Sequence, residues 1–173
     1  GGNWRPMADA ELLYRRALCK GKPFCFLMNT NFERFGADKV EKYMKRAVAY
    51  GMFPGFFSHN ASDGAYFTRP ELYNRDRPLF RKYMPLCKRV AEAGWEPITR
   101  ARSSDDRVHV ERFGDHLLTV FNDGPEKREA TITLDQPASG TFRELVGGRE
   151  LSWKDGRTTL ILEGDDLAVL EIP

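Results

Sequence analysis

The side chains best placed for chemistry fall in two short polar stretches, each directly behind an apolar run. Asn29, Asn31 and Glu33 follow the run at residues 24–28. His59, Asn60, Asp63 and Tyr66 follow the run at residues 52–57. Amides, an imidazole and a phenol can hydrogen-bond a polar ligand. Glu33 and Asp63 are the carboxylates in these stretches that could serve as acid, base or nucleophile. Plainer readings stand beside these: residues 29–31 turn the chain, and His59 bonds a loop backbone.

Other chemistries find little in the chain. The histidines at 59, 109 and 116 are scattered, without H-x-x-x-H spacing, so no metal site is expected. There is no glycine-rich phosphate loop and no G-x-S-x-G elbow, and no cofactor is expected. The cysteines at 19, 25 and 87 are odd in number and form no C-x-x-C pair, which argues against a disulfide framework. Cys25 and Cys87 lie among apolar residues and read as small core hydrophobes. With 27 Lys and Arg against 25 Asp and Glu, the net charge of +2 argues against a nucleic-acid partner. No stretch approaches the roughly 20 apolar residues that span a bilayer, so no membrane partner is expected. The chain begins Gly-Gly-Asn without Met and is expected to be a piece of something longer.

The elements that must position these residues follow from periodicity. Ala10, Leu13, Tyr14, Ala17 and Leu18 predict a helix over residues 7–20, with Gly21 as its stop. Residues 24–28 are contiguous and apolar, as in a parallel strand buried on both faces. Asp38 opens a second helix, where Val40, Tyr43, Met44, Ala47 and Val48 form one stripe and Glu41 and Lys45 sit four apart on the other face. Residues 52–57 are a second buried strand, shortened or bent by Pro54 and Gly55. Together these make a β-α-β unit. Thr68, Arg69, Pro70 and Glu71 form a capping box that starts a short helix. A longer helix over 76–93 buries Leu79, Tyr83, Leu86, Cys87 and Val90, with a kink at Pro85.

From Ile98 the apolar period changes from 3.6 to 2. Val108 and Val110 alternate, as do Ala130, Ile132 and Leu134, and then Ala168, Leu170 and Ile172. Turn signals recur between these runs, the strongest being Asp155-Gly156. About seven short strands with regular turns read as an antiparallel sandwich. The fold class is therefore α/β followed by all-β, with domains at 1–98 and 99–173.

Helix, strand, helix, strand, helix and then a sandwich resembles the last units of a (β/α)₈ barrel followed by the C-terminal domain of a glycoside hydrolase. The runs at 24–28 and 52–57, the Ala-Gly-Trp ending at Trp95 and the phrase LLTVFNDGP carry the likeness, which is to α-galactosidase-like and α-amylase-like enzymes. The resemblance implies that 24–28 and 52–57 are strands seven and eight. A whole barrel takes about 250 residues, so strands one to six would come from the rest of a longer chain or from another chain. It also implies a carbohydrate substrate. Asn29, Asn31, His59 and Asn60 would bond hydroxyls, Tyr66, Phe32 or Phe57 would stack on a pyranose, and the main carboxylate pair would lie on earlier strands. Glu33 and Asp63 are the catalytic candidates within the chain. In one large clan the nucleophile ends strand seven, and Glu33 lies several residues beyond that point. The alternative is a non-catalytic carbohydrate-binding or structural protein.

Overall fold

A computed structural model describes residues 8–19, 21–22, 24–58 and 66–173. The chain divides into two compact units, Gly1–Lys88 and Arg89–Pro173. That division falls inside a helix, earlier than the expected 98/99 boundary. The reason is local: Arg89 pairs with Glu171, and Trp95 and Glu96 pair with Phe113 and Arg112 as a sheet edge.

The first unit contains α1 (Asp9–Leu18), β1 (Cys25–Thr30), α2 (Ala37–Ala49), β2 (Phe53–Ser58), a single 3₁₀ turn (Tyr66–Thr68) and most of α3 (Pro70–Ala93). β1 and β2 are parallel, in register from Cys25 opposite Phe53 to Thr30 opposite Ser58. α2 buries the expected stripe of Val40, Tyr43, Met44, Ala47 and Val48. The helix stops at Gly51, whose φ of 65° is easy only for glycine. The Tyr43 hydroxyl lies against the strand pair, bonding the Phe26 carbonyl and both backbone groups of Gly55 (O at 2.9 Å, N at 2.8 Å). A Cβ at residue 55 would lie 2.7 Å from Cys25 Sγ and 3.1 Å from Leu27 Cδ1. Gly55 is thus the cost of bringing the two strands together at that point.

Three expectations for this unit are corrected. β1 is not buried on both faces: Met28 is buried, but Cys25 is exposed and Leu27 is 58% exposed. Helical side chains cover only one side of the pair. Asn29 and Thr30 belong to β1 rather than to the loop, because they continue its ladder opposite Phe57 and Ser58. α3 is a single helix rather than a short one followed by a longer one, and it runs through both Pro78 and Pro85. Each proline removes one N–H donor from the ladder. Among the described residues β1 and β2 have no third strand, and no barrel closes.

The second unit is antiparallel. β3 (Trp95–Glu96), β5 (Val108–Phe113), β6 (Leu117–Asn122) and β11 (Asp166–Glu171) make a sheet in the order β11-β6-β5-β3. β4 (Ala101–Ser103), β7 (Arg128–Leu134) and β10 (Arg157–Leu162) make a second, in the order β10-β7-β4. β8 (Gly140–Arg143) and β9 (Glu150–Trp153) pair as a hairpin. One apolar cluster joins all three sheets: Leu118, Val120, Ala168 and Leu170 from the first, Ala130, Ile132, Leu160 and Leu162 from the second, and Trp153 from the hairpin. The alternation of β7 and β10 matches that cluster, with buried residues at every second position.

Asp155 and Gly156 form the tight turn their types demand, both with positive φ (50° and 73°), between Lys154 and Arg157 bonded in both directions. The turn is fastened to the preceding connection, since Gly156 N–H donates to Ala138 O at 2.8 Å and Gly156 O accepts from Leu134 N–H at 2.8 Å. Ile132 is completely buried in the shared cluster. Ile132→Ala is expected to lower stability by about 3 kcal/mol, a combined transfer and cavity loss, read as a lower urea midpoint with an unchanged slope.

Candidate functional site

β1 and β2 end together, with Thr30 opposite Ser58. After β1 the chain makes a compact turn. The backbone N–H groups of Arg34 and Phe35 donate to the Asn31 carbonyl (3.2 and 3.0 Å), and Asn31 Oδ1 accepts the Glu33 N–H at 2.9 Å. Asn31 thus shapes the turn with the same side chain proposed for a ligand. Glu33 points outward, its side chain 57% exposed, and takes Arg69 Nη1 at 2.5 Å. Arg69 also pairs with Glu71. These carboxylates raise the Arg69 pKa, and the Glu71 pKa is lowered first by a bond from the backbone N–H of Glu71 itself and then by Arg69. Glu33 and Glu71 therefore share one arginine.

Beneath this surface lies a buried polar network. Asp76 is 0% exposed. Arg75 grips it with two bonds, Nε to Oδ1 at 2.7 Å and Nη2 to Oδ2 at 2.9 Å. The same guanidinium donates to the carbonyls of Phe32 (3.2 Å) and Phe35 (3.1 Å). The Tyr66 hydroxyl donates to Asp76 Oδ2 at 2.9 Å. Around the network, Tyr66 packs against Phe32 and Phe56, with both centroid separations 4.8 Å. The Asp76 hydrogen bond raises the Arg75 pKa. Burial, and then the bond to Asp76, pushes the Tyr66 phenol well above its ordinary range.

The sequence-derived candidates are thus placed unevenly. Asn31 and Glu33 are together on the turn after β1. Asn29 is a strand residue opposite Phe57. Tyr66 is only 1% exposed, and its ring and hydroxyl are engaged within the protein, as is the ring of Phe32. His59, Asn60 and Asp63 lie outside the described residues. Arg69, Arg75 and Asp76 were not among the candidates. Asp76 did carry a signal, because it falls on the stripe that continues through Tyr83, Cys87 and Val90. An acid on an apolar stripe requires a buried partner. Among the described residues no group of His, Cys, Asp or Glu is gathered so as to hold a metal ion, and no helix is long and apolar enough to cross a membrane.

No protein-family model matches the sequence, and no curated protein does. Solved structures of similar fold include α-amylases. An Anoxybacillus α-amylase, described as a new glycosyl hydrolase subclass, matches with a TM-score of 0.53 and 13% identity over 94% of this chain and 41% of its own. A Geobacillus thermoleovorans α-amylase, solved with acarbose, matches with a TM-score of 0.53 and 12% identity over 95% of this chain and 42% of its own. A maltogenic α-amylase from Thermotoga neapolitana gives 0.51 and 16%, over 87% of this chain and 41% of its own. The chain therefore shares its fold with part of these glycoside hydrolases and spans less than half of their length.

Two phenols in this unit, Tyr43 and Tyr66, have pKa values raised above the ordinary value of about 10, chiefly by burial. A raised folded-state value means that their stabilisation is complete below the unfolded pKa and is lost as pH rises through the folded one. In an alkaline titration followed by phenolate absorbance, both are expected to stay protonated after the exposed tyrosines have ionised, and to ionise only as the first unit unfolds. Tyr66→Phe is expected to remove one late-titrating group.

Proposed function

We propose that the chain is the C-terminal part of a glycoside hydrolase. In this reading β1 and β2 are the last two strands of a (β/α)₈ barrel, and the antiparallel unit is a stabilising β-sandwich. The observation that carries the reading is the shared fold with α-amylases of which the chain spans only about two-fifths. The strand pair supports it physically. Parallel strands are ordinarily covered on both faces, yet Cys25 and Leu27 lie open and each strand has one unpaired edge among the described residues. The partner is the remainder of the barrel, from the same longer chain or from another.

Within that assembly the strand ends form one wall of a sugar cleft. Asn29 and Asn31, with His59 and Asn60 from the second stretch, supply hydrogen bonds to hydroxyls. The main acid and nucleophile come from earlier strands. Glu33 fits a supporting role better than a catalytic one, because Arg69 engages it and Glu71 competes for the same arginine. That arrangement also favours a second reading, a non-catalytic carbohydrate-binding protein built from the same parts.

Titration of the full chain with maltotetraose, followed by backbone amide NMR shifts, tests the proposal. Weak binding, with a Kd of about 1 mM, is expected to move amides of residues 29–33. Asn31→Ala is expected to weaken it about tenfold, as one or two lost hydrogen bonds imply. The chain alone is expected to release no reducing sugar. Shifts confined to residues 99–173 would transfer the sugar site to the sandwich and favour the binding-module reading.

A further inference from the structure

We propose that Arg75 and Asp76 are positioning residues that hold the turn after β1 and the 3₁₀ turn before α3 as one mechanical unit. The two turns are joined through a continuous chain of hydrogen bonds. It runs from the Phe32 and Phe35 carbonyls to the Arg75 guanidinium, from there to the Asp76 carboxylate, and on to the Tyr66 hydroxyl. Every link depends on its neighbours. Asp76 is completely buried, and a carboxylate there needs the guanidinium. The guanidinium reaches two carbonyls because its plane is fixed by the bidentate grip on Asp76. The Tyr66 hydroxyl donates a hydrogen bond to the same oxygen that accepts from Arg75 Nη2. Hydrogen bonds linked in this way strengthen one another, so loss of one is felt at the others.

A second tie joins the same segments at the surface, through Arg69, Glu33 and Glu71. It is exposed and therefore screened by salt, whereas the buried relay is not. The two ties can thus be separated. The inference deepens the reading of the strand ends as a sugar wall, and it rests on that reading only for its purpose: Asn31 and Glu33 would be held at a fixed position by side chains that never touch the ligand.

Amide hydrogen exchange on the full chain, without ligand and at about 1 M salt to screen the surface tie, tests the relay. Tyr66→Phe removes one hydroxyl, the one bonded to Asp76, and keeps the ring. It is expected to speed exchange at Arg34 and Phe35 about fivefold, leaving the Phe53 amide in the strand ladder unchanged. Arg75→Lys keeps the charge but loses the fork. It is expected to speed exchange about tenfold at Arg34 and Phe35 and also at Arg69, whose N–H bonds Tyr66 O. In the double variant the Tyr66→Phe effect at Arg34 and Phe35 is expected to vanish. Unchanged exchange at Arg34 and Phe35 in Tyr66→Phe overturns the proposal. So does full additivity in the double variant, and so does equal acceleration at Phe53, which would mean general loosening. Because no sugar is present, the result is independent of whether maltotetraose binds.

Discussion

A parallel strand pair needs cover on both faces, and the first unit meets that requirement on one side only. On the covered side α2 lays its stripe over the pair, and the Tyr43 hydroxyl is inserted against the backbone. A phenol taken out of water must keep its hydrogen bonds, and Tyr43 finds them on both strands, at Phe26 and Gly55. That contact ties the two strands together, and the closeness of Cys25 and Leu27 at the same point makes residue 55 a glycine. The strand-end turns, the buried relay and the start of α3 all hang from the geometry so established. On the open side the same pair presents Cys25 and Leu27 to solvent.

In the antiparallel unit several buried polar side chains are satisfied differently, largely by nearby backbone. Glu144, completely enclosed, accepts N–H bonds from Val146 at 2.9 Å and Gly147 at 2.5 Å and pairs with Arg149. Asn122 donates to the Glu126 and Glu163 carbonyls at 2.7 and 2.8 Å, closing two turns with one amide. Arg112 gives its guanidinium to the carbonyls of Thr99 at 2.5 Å and Asp115 at 3.0 Å, and the burial that this requires lowers its pKa. In each case a side chain on or beside a strand organises a loop that has little apolar content of its own.

What could be read in the sequence, and what could not, follows from this contrast. The antiparallel unit was legible because a period of two and a turn such as Asp155-Gly156 are local signals. The β-α-β unit was legible from the stripe of α2. The burial of β1 was misjudged because a contiguous apolar run states what a strand is suited to, not what surrounds it. Leu27 reads the same whether its partner is present or not. Tyr66 reads as a ligand platform because it follows a polar stretch, whereas its burial depends on Asp76, ten residues on, and on Phe32, far back along the chain. The relay itself is hidden for a similar reason, since Arg75 and Asp76 are neighbours in sequence but Arg75 donates to carbonyls 43 and 40 positions away. Asp76 on an apolar stripe was the local trace it left.

The exposure of Cys25 has a practical side. Cys87 is buried, and burial pushes its thiol up to about 12, so it is protonated and shielded at ordinary pH. Cys25 sits on the open strand face and Cys19 is partly accessible. A thiol reagent applied to the intact chain would thus mark the uncovered face while sparing the interior. Protection of the Cys25 sulfur is what the proposed remainder of a barrel, seated on that face, would produce.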